Sequence, residues 1–133
     1  MGTVTATMEV GDPQGRNFQE VNLEVDTGST FTALPRELLQ ALGVPVSRTE
    51  QSRLADGSRQ PVELGDTAVR LAGKEFMTTV IFAEEGEPSL LGVVTLEQAL
   101  LAVDPVNNEL IPVEAKRYWT GLALEQVRLT GIA

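Results

Sequence analysis

The chain has 133 residues, a hydrophobic fraction of 42% and a formal net charge of −9. That length suffices for one domain with its own core, while the acid excess, with Lys74 and Lys116 as the only lysines, opposes a phosphate backbone, so no nucleic-acid partner is expected. The absence of Cys and His excludes disulfides, thiol nucleophiles, Ser-His triads and thiolate or imidazole metal sites, which leaves carboxylates for any proton chemistry and gives no cofactor to expect.

Val4 to Val10 alternates Val4, Ala6, Met8 and Val10 with polar neighbours, the period of a half-buried strand. Met1 to Ala6 lacks the basic and apolar segments of a secretory signal, and Ala6 stands where a myristoylation pattern wants Ser or Thr. No apolar run reaches spanning length. A cytoplasmic protein without a membrane partner is therefore expected. Gly11-Asp12-Pro13-Gln14-Gly15 is a turn cluster. Phe18 to Val25 resumes as a strand with Val21, Leu23 and Val25 on one face, so the two strands form a hairpin that ends at Asp26.

Asp26-Thr27-Gly28-Ser29 lies between apolar runs. By itself Asp-Thr-Gly is an ordinary turn tripeptide. At the tip of an apolar strand, however, a carboxylate can be held rigidly enough for general acid/base work. Gly28 permits a sharp turn, and Thr27 and Ser29 bring hydroxyls that can hold the carboxylate. Phe31 to Leu34 reads as a strand, Pro35 as the start of a helix carrying Leu38, Leu39 and Leu42, and Gly43 as its end.

Thr49 to Val62 reads as a long hairpin around Ala55-Asp56-Gly57-Ser58, with Asp-Gly as the two-residue turn. Val62 with Leu64, Ala68 to Leu71, and Phe76 to Ala83 are expected as separate strands, divided at Gly65-Asp66 and at Ala72-Gly73-Lys74. Glu84 to Pro88 is a charged loop. After Ser89-Leu90-Leu91-Gly92, Thr95 is placed to cap a helix containing Leu96 and Leu100. Leu101 to Asp104 and Glu109 to Val113 form a closing hairpin, and the tail, 116–133, is expected to add strand. Strand, Gly turn and Leu-rich helix recur in the same order around 26–42 and 78–101, which suggests approximate internal two-fold symmetry.

Together, Val25-Asp26-Thr27-Gly28-Ser29, Phe31 to Pro35, the Ala55-Asp56-Gly57 hairpin, and Leu90-Leu91-Gly92 before a helix resemble a retropepsin-type aspartic protease, the retroviral-like class also found in prokaryotes. Leu101-Ala102-Val103-Asp104-Pro105 and Leu110-Ile111-Pro112 resemble the closing hairpin of its prokaryotic members, so the likeness spans about residues 4 to 113. The resemblance implies an all-β domain over 1–115, a closed and mostly antiparallel β barrel with one or two short helices. The 116–133 tail is then a candidate part of the dimer interface. It further implies a homodimer acting on a peptide or protein substrate, with one Asp26 from each subunit. The two carboxylates would share a proton, because like charges about 3 Å apart do not readily both ionise. One would activate a water and the other would polarise the peptide carbonyl. Thr27 would lock the two loops across the axis, Gly28 would bring backbone close to substrate, and Ala55 to Ser58 would be a flap.

Some positions depart from the retroviral pattern. Thr30 and Val93 stand where retroviral members carry an ion pair. Ser29 replaces the Ala common there, and its hydroxyl is expected to donate to the outer oxygen of Asp26. Glu24 shares the strand face of Asp26 by simple alternation, which makes it a cleft-lining candidate; a local twist would instead turn it to solvent. Two further readings compete with an active protease. One is a catalytically inactive, peptide- or partner-binding dimer of the same fold, separated by peptide cleavage. The other is a structural turn in an unrelated small β barrel, separated by oligomeric state.

Overall fold

The computed structural model describes residues 2–117. Its elements, in chain order, are strands β1 (Thr5–Val10), β2 (Gln19–Val25) and β3 (Thr32–Pro35), helix α1 (Arg36–Ala41), strands β4 (Arg48–Arg53), β5 (Arg59–Leu71), β6 (Lys74–Ala83) and β7 (Leu90–Leu91), helix α2 (Val93–Gln98), and strands β8 (Leu101–Asp104) and β9 (Glu109–Pro112). The class is all-β, as expected. The strand foreseen in the tail falls, from Tyr118 onward, outside the described residues.

The apolar alternation of β1 and β2 buries Met8, Val10 and Leu23 and pairs the strands antiparallel, with Met8 opposite Val21. Their connection is held by Asp12, whose carboxylate accepts Gln14 N at 3.0 Å, Arg16 N at 2.9 Å and Asn17 Nδ2 at 2.9 Å. Burial pushes the Asp12 carboxyl up, but these donors outweigh it and hold the group below the ordinary carboxylate value.

The strands run in the order β1-β2-β7-β3-β6-β5-β4, and β1 also pairs β5 through Glu9 with Arg70 and Val10 with Val69, which closes six of them into a ring. Pairing is antiparallel except between β2 and β7 and between β3 and β6. Exchanging β1 with β5, β2 with β6 and β3 with β7 maps this pattern onto itself. The parallel pairs interchange, and the antiparallel β3–β7 contact at Ala33 and Leu90 lies on the axis. The faint sequence echo thus corresponds to a repeated unit of hairpin, loop, short strand and helix.

Strand β5 departs from expectation. Gly65-Asp66 does not divide it; the strand runs unbroken for 13 residues. Gly65 serves close approach rather than a turn, since a Cβ there would lie 2.6 Å from Pro45 O and 2.9 Å from Phe82 Cε1. Residues 59–64 pair with β4 and residues 64–71 with β6. The first half of β5, with β4, therefore projects beyond the ring as a two-stranded arm, and among the described residues β4 is an edge strand.

The helices are short because each buries only one turn. α1 buries Leu39 and is stopped at Gly43, which has φ +73°. α2 begins at Gly92 as N-cap rather than at Thr95, and it ends before Leu100, which has φ +57°. Thr95 instead lies inside α2, fully buried. The core fills the ring with Leu34, Leu64, Val69, Val80 and Leu91, all without exposure.

Candidate active site

Strand β2 stops at Val25, so Asp26 is the first residue of a loop, residues 26–31, rather than a strand position. Three backbone bonds hold that loop to the segment from β7 into α2. Asp26 N donates to Leu91 O at 3.0 Å, Val93 N to Ser29 O at 2.8 Å and Val94 N to Thr30 O at 2.9 Å. The first N–H groups of a helix have no partner within it; here they are spent on the Asp26 loop. Gly92 makes this contact possible. A Cβ on it would stand 2.4 Å from Phe31 C and 2.5 Å from Phe31 O, so Leu90-Leu91-Gly92 works by close approach of two backbones.

Within the loop, Gly28 N donates to Asp26 Oδ1 at 2.9 Å and Ser29 N to Asp26 O at 3.1 Å. The Ser29 hydroxyl does not take the role foreseen for it. It donates to Phe31 O at 2.9 Å, and its single hydrogen is thereby used. Inside one chain, Asp26 is therefore positioned by backbone N–H groups.

The arm made by β4 and the start of β5 faces this loop across an open groove of about 790 Å³. Asp26, Gly28 and Ser29 line one side, β4 and Ala55 the other, and Phe31, Val62, Ile81 and Leu90 supply apolar surface. The arm's tip differs from the predicted two-residue turn. Leu54 N donates to Ser58 O and Gly57 N to Leu54 O, with Gly57 at φ +87°, giving a three-residue loop, Ala55-Asp56-Gly57. Ser58 donates from its hydroxyl at 2.6 Å and its N–H at 2.9 Å to Asp56 Oδ1, and these bonds hold the Asp56 carboxyl below its ordinary value.

Of the other residues singled out from sequence, Leu91 and Gly92 lie buried beneath the loop, and Thr27 is exposed beside the groove without lining it. Glu24 is exposed and outside the groove, opposite Thr5 on β1 and next to Leu90 on β7. Strand alternation puts it on the face away from Leu23 and Val25, and it cannot be extrapolated to Asp26, which has left the strand. Thr32, Thr78 and Thr95 lie buried behind the loop, and none of them is given a place in the site from sequence, Thr95 being expected only as a helix cap; hydroxyls amid otherwise apolar strand and helix residues are the available signal. Among the described residues no group of His, Cys, Asp or Glu could hold a metal ion. A second cavity, of about 580 Å³, lies beside Arg36 and Glu84, but these two charges are spent on each other at 2.7 Å and 2.9 Å.

The model of the aspartyl protease family matches residues 6–95, from β1 into α2, and so takes in the Asp26 loop, the arm and Leu90-Leu91-Gly92. The chain belongs to the aspartyl protease family, of the retropepsin-like kind. A search of curated proteins finds no match to it. The match thus covers the carboxylate that is fixed by backbone on one side of the groove, across from β4.

Proposed function

We propose that the protein is a homodimeric aspartic endopeptidase in which two Asp26 carboxyls, one per subunit, activate a water for attack on a peptide bond. The supporting observation is the single Asp26, held by Gly28 N and by backbone bonds to β7 and α2, in a groove bordered by the arm. One chain supplies one such carboxylate, and the two-carboxyl chemistry of this family needs a second. A two-fold mate supplies it with the same geometry.

The two carboxyls share one proton. The ionised one takes a proton from the attacking water, and the protonated one donates to the substrate carbonyl oxygen as the tetrahedral intermediate forms. The intermediate then collapses with a proton delivered to the leaving nitrogen. The substrate lies extended along the free edge of β4, its apolar side chains against Phe31, Val62, Ile81 and Leu90. Thr27, exposed at the loop tip, is placed to meet its mate across the axis.

Cleavage of a peptide library, read together with sedimentation at micromolar concentration, tests this. A dimer that cleaves, with cleavage abolished in Asp26→Asn and untouched by chelators, is expected. Cleavage surviving in Asp26→Asn would move the chemistry elsewhere. A monomer at all concentrations and mildly acid pH would overturn the dyad. A dimer that binds peptides without cutting them would make the protein a binding member of the same fold.

A further inference from the structure

Behind the Asp26 loop, three buried threonines form a chain of hydrogen bonds whose direction can be assigned. Thr78 Oγ1 donates to Gln98 Oε1 at 2.7 Å. A hydroxyl has one hydrogen, so in the 2.8 Å contact between Thr95 and Thr78 the donor is Thr95. In the 2.7 Å contact between Thr32 and Thr95 the donor is then Thr32. Thr32 Oγ1 accepts Gly92 N at 3.0 Å, and at the other end Gln98 Nε2 donates to Met77 O at 3.2 Å. The series runs one way, from Gly92 to Met77 within β6, through three hydroxyls that are at most 2% exposed.

We infer that Thr32, Thr95, Thr78 and Gln98 are positioning residues for Asp26, acting through Gly92 and the start of α2. The inference rests on the protease reading for its effect on rate. Apolar side chains of the same shape could fill this space at similar stability. They would not fix the rotation or depth of α2, because dispersion contacts are non-directional, whereas a satisfied polar series specifies one arrangement. What it specifies here matters to the site. Gly92 N is bound to Thr32, and the next two N–H groups, of Val93 and Val94, hold Ser29 O and Thr30 O. A small shift of α2 therefore passes directly into the loop bearing Asp26. The two halves of the molecule differ at this point, since Leu38 occupies in α1 the place that Thr95 has in α2.

The test compares Thr95→Val, which keeps the shape and removes the hydroxyl, with Thr95→Ser, which keeps the hydroxyl and removes a methyl. Thr95→Val should lower kcat about tenfold or more while KM changes less than about twofold, the loss expected from a sub-ångström misplacement of a reacting group. Thr95→Ser should recover most of kcat despite its cavity. If packing alone mattered, Ser would be the worse variant, and that order would overturn the inference. Gln98→Met breaks the series at an exposed residue where folding is not at risk, and it should lower kcat about twofold to threefold. Amide exchange at Val93 and Val94 supplies a readout independent of cleavage. It should accelerate in Thr95→Val and not in Thr95→Ser. If the wild-type protein cleaves nothing, the protease reading fails, and this exchange alone decides the positioning role: equal exchange in all forms overturns it.

Discussion

Residues 26–31 and residues 84–89 occupy equivalent places in the two halves of the ring, each joining a long strand to a short strand and helix. The first is gripped by backbone. Leu91 O, Val93 N and Val94 N hold it, because Gly92 lets the start of α2 come within contact of Phe31. The second faces a helix that starts after Pro35, at the place Gly92 holds in the other half, and Arg36 and Glu37, the counterparts of Val93 and Val94, make no backbone bond to it among the described residues. It is held by a side chain instead: Arg36 donates to both oxygens of Glu84 and also reaches Glu63, with its guanidinium 5.0 Å from the Phe82 ring centre. The same topology therefore yields a loop rigid enough to aim a carboxylate in one half and a charged, exposed loop in the other. The helix-start residue, Gly or Pro, separates the two outcomes.

The largest break in this comparison comes from Gly92→Ala. A Cβ 2.4 Å from backbone has no flexible neighbour to displace, so a loss on the order of 3 kcal/mol is expected, together with loss of cleavage. Pro35→Ala, at the exposed equivalent position, should cost less than about 1 kcal/mol. Denaturant midpoints of the two variants check this, and equal losses would mean that Gly92 is not the site of close approach.

Next in size is Glu84→Gln, which should loosen residues 84–89 and leave the Asp26 loop and kcat unchanged. Its pH dependence sharpens the contrast. Arg36 holds the Glu84 carboxyl below its ordinary value of 4.5. A depressed value means that Glu84 stabilises the fold above the ordinary value, and that this contribution is lost as pH falls through the lower folded value. The wild-type advantage over Glu84→Gln should accordingly be full at neutral pH and vanish in acid, as stability measured against pH will show. A difference constant across pH would assign it to packing. The bonds from Val93 N and Val94 N to the Asp26 loop, made between N–H and C=O groups, should show no parallel acid loosening by amide exchange at these two residues.

Ser29→Ala should have the smallest effect. It removes the bond to Phe31 O, worth about 1 kcal/mol, and should leave the acid limb of the rate profile in place, because the hydroxyl is not on Asp26. A displaced acid limb would show that the hydroxyl turns to the carboxylate in the dimer.

Much of this site was readable in advance where the cause was local. Asp26-Thr27-Gly28, Leu90-Leu91-Gly92 and the hairpin at Asp56-Gly57 all showed in sequence, because Gly and short polar residues mark places where the backbone must turn or approach closely. Misreadings arose where one local rule was carried too far. Period two does not carry from Glu24 to Asp26, because β2 ends at Val25 and Glu24 takes the solvent-facing alternative, and Gly65 is not punctuation but admits Pro45 to the side of a continuous strand. Thr95 has the composition of a cap, yet its hydroxyl finds Thr32 and Thr78 and leaves the capping place to Gly92.

By itself the sequence determined most of the strands, the turn that carries the carboxylate and the end of α1 at Gly43, since dihedral preference and hydrophobic period act over a few residues. Only the tertiary structure decided the parallel crossings of β2 with β7 and β3 with β6, the closure of β1 on β5, and the acceptor of each buried hydroxyl. A hydroxyl within reach of several acceptors is committed by differences of a few tenths of an ångström. Those distances come from packing residues as far apart in the chain as Thr32 and Thr95, a separation over which no local preference acts.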